Sequence, residues 1–298
     1  LFNKARRHEK SSSLQELQTS AECYKYLRLV DVDSFDRVFV GELGKVFCRM
    51  AVIQNEYGQE RETLQSYLEA AEAFVVINKN SHTHETELAD VYCNIAAWYE
   101  KHNQITETIS YYDRATEYMA SSDSASLYCK IAELAESFQK GCDSKVYYSK
   151  AIDKYIEAVK KFEQPSFFKK GMPYFMYDLA VLCYSGKAGI ADYSNALYFF
   201  KKCTTLGVEE GKSHYYIGSC FYWGLGVPVD YENAKKHFIQ AYEYGFNCNS
   251  AISLVESELD NGETINSMRN YADSLKKKQL TEEARYAQII KDLQTDFG

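Results

Sequence analysis

His82 and His84 form an H-x-H pair beside Glu85 and Glu87. Imidazole and carboxylate are zinc-ligand types, but a zinc site needs four donors in fixed geometry, and the further ligands are missing from this pattern. The pair falls in the polar stretch 78–84 between two apolar stripes, so a loop and no metal are expected. His214 and His237 lie on helical stripes and read as packing or surface residues. The nine cysteines include no C-x-x-C pair. Cys48, Cys93, Cys129, Cys183, Cys203 and Cys220 sit at core-like helical positions, as small buried hydrophobes rather than a disulfide framework, which points to a reducing compartment, cytosol or nucleus. Gly186-x-x-Gly189 and Gly224-x-Gly226 lack the preceding strand that a phosphate cradle needs. The nucleophile elbow, the P-loop and the dinucleotide fingerprint are all missing. No catalytic residue, cofactor, metal or small-molecule substrate is expected, and the chain does not read as an enzyme.

Two basic clusters remain as candidate partner-binding residues: Lys4, Arg6 and Arg7 near the start, and Lys276, Lys277 and Lys278 near the end. The chain carries a formal charge of −8 and a pI of about 5.4. That balance opposes nucleic-acid binding, which needs a basic face. It makes an acidic partner surface the natural target of the first cluster. The second cluster also suits a helix C-terminus, where cations complement the macrodipole. No apolar run approaches the roughly 20 residues of a membrane span, so no membrane insertion is expected. The sequence opens on Leu1 rather than Met, as a piece of a longer protein would.

Helices must position these residues. Among 298 residues there are 15 glycines and three prolines, and proline costs about 3 kcal/mol inside a helix, so few breakers argue for helix throughout. Apolar spacing predicts helices near 14–29, 35–57, 60–78, 88–99, 105–119, 125–140, 144–162, 174–185, 192–206, 212–223 and 230–244, then a short one before Asn261-Gly262 and two polar ones near 263–277 and 281–294. Ser34 is the expected cap before the apolar run from Phe35, and Ser121–Ser126 reads as a turn. Short connectors make neighbouring helices antiparallel. The expected fold is all-α, a helix-turn-helix solenoid of roughly fourteen helices. Its organisation is one continuous solenoid domain made of a basic arm at 1–13, irregular helix pairs at 14–165, repeats at 166–250 and capping helices at 251–298. The 26 tyrosines suit inter-helix seams, with their hydroxyls at the wet rim.

The rear of the chain repeats at an offset of 38 residues. Tyr177, Tyr184, Gly186, Asp192, Tyr193, Asn195, Ala196, Phe200 and Gly207 recur as Tyr215, Tyr222, Gly224, Asp230, Tyr231, Asn233, Ala234, Phe238 and Gly245. Average composition would give about two such identities. A helical period of this length marks stacked helix pairs that present long surfaces to partners. Gly186 and Gly224 should end the first helix of each pair, and Asp192 and Asp230 should cap the second. Ala196 and Ala234 should permit close approach, and Gly207 and Gly245 should end the second helix.

Tyr222-Trp223-Gly224-Leu225-Gly226-Val227-Pro228-Val229-Asp230 followed by Ala234 resembles the Sel1-like variant of the tetratricopeptide repeat, whose hallmark is Y-x-x-G-x-G-V-x-x-D-x-x-K-A. The first copy has an extra residue in its glycine loop. Further forward, Tyr111-Tyr112-Asp113-Arg114-Ala115, then Leu127, Lys130, Ile131 and Ala132, then Tyr155, Phe167 and Lys170, are similar to the soluble NSF-attachment protein family. Asn3-Lys4-Ala5-Arg6-Arg7, the aromatic-led helix from Phe39 to Arg49, and Ala70-Ala71-Glu72-Ala73-Phe74 resemble the huntingtin-associated 40-kDa protein family over about the first 120 residues. Ser11–Ser13 depart from that family's pattern. This resemblance implies a non-catalytic adaptor for huntingtin, a large helical-repeat protein, in vesicle or early-endosome transport. The alternatives are an attachment-protein-like adaptor for SNARE disassembly and a Sel1-type scaffold or microbial effector. The tail Asp292–Gly298 does not resemble the leucine-ended tail of the attachment proteins.

Overall fold

Clean 3.6-residue spacing becomes helix wherever the chain can be followed. The computed structural model describes residues 1–30, 36–138, 143–163 and 173–260. They form thirteen α-helices and no strand. In chain order these are α1 (Phe2–His8), α2 (Leu14–Val30), α3 (Asp36–Glu56), α4 (Glu60–Ser81), α5 (Glu85–Lys101), α6 (Ile105–Thr116) and α7 (Ser121–Phe138), followed by α8 (Ser144–Phe162), α9 (Phe175–Ser185), α10 (Tyr193–Leu206), α11 (Glu210–Trp223), α12 (Tyr231–Glu243) and α13 (Asn249–Asp260). The all-α helix-turn-helix class expected from the sequence is the class observed. Ser34 and Phe35, Pro165, Phe167 and Lys170, and the two helices expected after residue 262 lie outside the described residues.

The chain forms two compact units, Leu1–Cys142 and Asp143–Gly298. In the first, each helix from α1 to α7 packs on the next. Leu17, Tyr24, Val46, Ala51, Ala70, Phe74, Leu88 and Ile95 build a continuous core. Two glycines inside α3 set its depth. A Cβ on Gly44 would stand 2.7 Å from the buried Phe74 ring, and one on Gly41 would stand 2.6 Å from His84 Nε2. With hydrogen in those places, α3 lies directly on α4 and on the start of α5. Gly58 (φ +70°) ends α3, with Gln59 N–H bonding Gln54 O at 2.8 Å. Asn103 (φ +57°) ends α5, and Gln104 N–H reaches Tyr99 O at 2.9 Å. Asparagine tolerates the left-handed region better than most residues, so it serves here where glycine serves elsewhere.

Three local expectations are corrected. Residues 2–8 are not a free arm but a helix whose Ala5 is fully buried. Ser121–Ser126 are the opening turns of α7, because the apolar stripe begins at Ala125 and the helix extends back over it. The α4 helix continues through the polar stretch to Ser81 and stops only at His82 (φ +51°).

In the second unit the consecutive helices α8 to α13 also pack pairwise. Helix α11 lies between α10 and α12 and is buried nearly all round, at Ser213, His214, Tyr215, Ile217, Cys220 and Tyr222. A helix flanked on both sides loses the one-sided stripe that a surface helix shows.

Candidate functional site

The tandem repeat at α9–α12 is the best-defined constellation, and its geometry follows residue by residue from the 38-residue pattern. Asp192 Oδ1 accepts from Asn195 N–H at 3.0 Å, while Asn195 Nδ2 donates to Asp192 Oδ2 at 2.7 Å. Asp230 and Asn233 reproduce the clamp at 3.0 and 2.6 Å. Each Asp satisfies a free amide of the following helix, and each Asn holds the carboxylate in place. The Asn233 amide, as the largest cause, holds the Asp230 carboxyl below the usual carboxylate range. The incoming chain is tied back by Asp192 N–H to Cys183 O at 2.8 Å and by Asp230 N–H to Phe221 O at 2.9 Å. Ala196 and Ala234 are fully buried, and Phe200 and Phe238 fill the layer beneath. Gly207 and Gly245 follow the last turns of α10 and α12. Val208 N–H closes on Cys203 O and Phe246 N–H on Ala241 O, both at 2.9 Å.

The glycines of the inter-helix loops have two jobs. Gly224 takes φ +66°, and a Cβ there would also stand 2.9 Å from Val229 Cγ2. Gly186 matches it at +66°, with Ala191 N at 2.9 Å. Gly226 does something different. A Cβ there would stand 2.8 Å from the carbonyl carbon of Tyr193 and 2.9 Å from Ser194 N. The second loop therefore lies directly on the first turn of α10, so Gly226 joins one repeat to the other. Gly189 in the first loop has nothing within 4 Å of that position.

Side chains that could carry chemistry are spent on packing. His82 Nδ1 pairs with Glu85 at 2.7 Å, and His84 Nδ1 with Glu87 at 3.1 Å. His82 is exposed, while His84 lies against Phe74 and Gly41, so the two do not converge. Among the described residues no three His, Cys, Asp or Glu side chains gather as a metal site. The eight cysteines described are free thiols. Burial pushes Cys48, Cys203 and Cys220 up to about 12, and Cys93 and Cys183 to about 11, so none is a thiolate at neutral pH. The expected wet rim fails at Tyr184. Its hydroxyl is buried without a hydrogen-bond partner among the described residues, and its ring packs edge-on against those of Tyr193 and Tyr216 at 5.5 and 4.9 Å.

His214 and His237, which the sequence marks separately as packing or surface residues, meet in the structure. Their Nδ1 atoms are 3.0 Å apart across α11 and α12, so one donates and the other accepts. Tyr244 stacks on His214 at 5.6 Å, and Phe221 on His237 at 5.8 Å. Burial, reinforced by His214, Lys201 and Lys236, pushes His237 down to about 4. Burial also lowers His214, against the pull of Glu210. The spacing between the two histidines in the sequence matches no familiar motif, so only the packing of the repeat reveals the pair.

Of the candidate partner-binding residues, Lys4, Arg6 and Arg7 are exposed on α1, and Lys276, Lys277 and Lys278 lie outside the described residues. Helix α1 is docked. Ser20 Oγ donates to Ala5 O at 2.9 Å, Tyr24 OH donates to Glu9 Oε2 at 2.5 Å, and Arg49 Nη1 bonds Glu9 O. Phe2 packs edge-on against Phe39 at 5.2 Å.

Residues 173–207 and 211–245 each match the family profile of the Sel1 repeat. The match falls on the helix pairs α9–α10 and α11–α12, and a Sel1-like repeat there suggests protein–protein contacts. No curated protein matches the sequence. Among solved structures, BtubC from P. vanneervenii is 16% identical, with a TM-score of 0.44, over 86% of this chain and 92% of that one. The protective antigen c5321 of uropathogenic Escherichia coli is 19% identical, with a TM-score of 0.41, over 96% of this chain and 58% of that one. A Sel1 repeat protein from Oxalobacter formigenes is 16% identical, with a TM-score of 0.38, over 77% of this chain and 83% of that one. Likenesses this loose carry no functional argument. No helix among the described residues is long and apolar enough to cross a membrane.

Proposed function

We propose that this chain, with its two Sel1 repeats, is a non-catalytic adaptor that binds a large protein partner and joins it to a second component. The carrying observation is that residues recurring between the two repeats cap and pack their helices, while Gly226 seats one repeat on the other. The Asp–Asn clamps, the buried alanines and the Gly226 approach are all structural roles, which supports a scaffold. Buried thiols and a depressed histidine pair support the same reading.

The finer proposal is that the partner is huntingtin and the setting vesicle or early-endosome transport, in the cytoplasm. Its support is the resemblance of the opening third, at residues 3–7, 39–49 and 70–74, to the huntingtin-associated 40-kDa protein family. The candidate contacts are Lys4, Arg6 and Arg7, with Lys276, Lys277 and Lys278 as a second cluster. The Sel1 match favours a second reading, a Sel1-type scaffold with a different protein partner.

Affinity purification of the tagged chain with mass spectrometry separates these. Huntingtin recovered at a fixed ratio supports the finer proposal. A different protein at a fixed ratio keeps the scaffold and ends the huntingtin assignment. SNARE proteins with their ATPase would instead favour the attachment-protein alternative.

A further inference from the structure

Resting on the scaffold reading, we infer that the exposed side of α1 is a preorganised docking strip for a short acidic segment of a protein partner. Lys4, Arg6, Arg7 and Lys10 are all exposed, and none of them forms an ion pair among the described residues. Among the described residues, neighbouring carboxylates are already engaged. Glu9 is buried and accepts from Tyr24 OH, Glu16 faces His8 at 3.5 Å, and Glu42 pairs with Lys45 at 3.0 Å. Arg6 leans over the Phe2 ring at 5.5 Å, which fixes its place without cancelling its charge. Burial of Ala5 and the bonds from Ser20, Tyr24 and Arg49 fix which side of the helix faces out. Three uncompensated cations on α1, with Lys10 in the turn that follows, are thus held on a chain whose formal charge is −8.

The size of the strip selects the occupant. Seven helical residues at 1.5 Å each span about 10 Å. An extended peptide rises about 3.4 Å per residue, so the strip faces roughly three or four of its residues. Two or three carboxylates on such a segment match the cations. A nucleic acid or an anionic membrane extends well past the strip, and the net formal charge of −8 opposes it. A short acidic peptide meets only the strip. Fixing the helix in advance also lowers the ordering cost of binding.

The test uses the full chain and a fluorescein-labelled hexaglutamate peptide, read by fluorescence anisotropy. The wild type should bind, and its affinity should fall at least about tenfold between roughly 50 and 300 mM salt. Lys4→Glu with Arg7→Glu should lose binding, Lys4→Gln with Arg7→Gln should be intermediate, and Lys236→Glu should match the wild type. Far-UV circular dichroism checks that the variants fold. If they do not, lysine acetylation of the wild type gives an independent readout: bound peptide should protect Lys4 and Lys10. Unchanged binding by the charge-reversed variant, or unprotected lysines, overturns the inference. So does capture of single-stranded DNA, or of phosphatidylcholine vesicles containing one-quarter phosphatidylserine, through these residues while the peptide stays free. The two readings fail separately. The scaffold reading falls if no protein accompanies the wild type in cells. The strip falls if a partner is retained equally by the charge-reversed variant.

Discussion

Two glycines of the repeat loops look interchangeable in the sequence and differ in the structure. Gly226→Ala forces a Cβ against the backbone of α10 at 2.8 Å in addition to a left-handed φ of +71°. Gly189→Ala meets open space and carries only the conformational cost of φ +132°. Backbone conformations essentially reserved for glycine cost an L-residue about 1–3 kcal/mol, so Gly189→Ala should lose about that much and Gly226→Ala, with its backbone clash added, more. Thermal unfolding of the two variants side by side would show the order, and equal losses would mean that the second loop does not bear on the first repeat. The histidine pair gives a second prediction at this scale. Both groups are depressed, so the unfolded chain binds more protons than the folded one between about 4 and 6.5. Stability is therefore complete above pH 6.5 and falls as the pH drops through that window. Urea midpoints measured from pH 7.5 to 4.5 should decline for the wild type, and His237→Phe should flatten the decline. An unchanged slope in the variant would place the acid sensitivity elsewhere.

Helices α3 and α11 show how far patterns in the sequence reach. The boundaries of α9, α10, α11 and α12 were legible because glycine, aspartate and alanine recur at one offset and each has a backbone job. The carboxylate–asparagine clamp was half visible, since the cap was expected and the partner amide was not. The start of α7 was missed because serines favour caps and turns in isolation, and tertiary packing of the following stripe overrode that preference. The docking of α1 was missed because a basic, polar stretch hides its one inward alanine and the buried Glu9. Gly41 and Gly44, three residues apart inside a long helix, were the available sign of a close helix approach, and the approach is real. Gly44→Ala gains about 1 kcal/mol of helix propensity but drives a methyl into the Phe74 ring, where overpacking costs about 1–3 kcal/mol. The net result should be destabilising. Combining it with Phe74→Leu should recover more than additivity allows, and a double-mutant cycle by chemical denaturation measures this. Strict additivity would mean that the two residues do not touch.

At the scale of the whole molecule, the front and rear units are legible to different degrees. The rear is written in a repeat, so its fold follows from spacing. The front has no fixed period, and its distinguishing residues are the unpaired cations of α1 and the tight seat of α3. The repeat implies protein contacts but not their identity, because the residues that recur between its two copies cap and pack its own helices. An adaptor should exist in a complex rather than as an isolated chain. Size-exclusion chromatography with light scattering, on tagged protein purified gently from cells that make it at native level, tests this most directly. The account predicts a mass well above the 34.3 kDa of the chain, with a second protein at a fixed ratio that Lys4→Glu with Arg7→Glu weakens. A single species at the mass of the chain alone, with no companion protein, would contradict it.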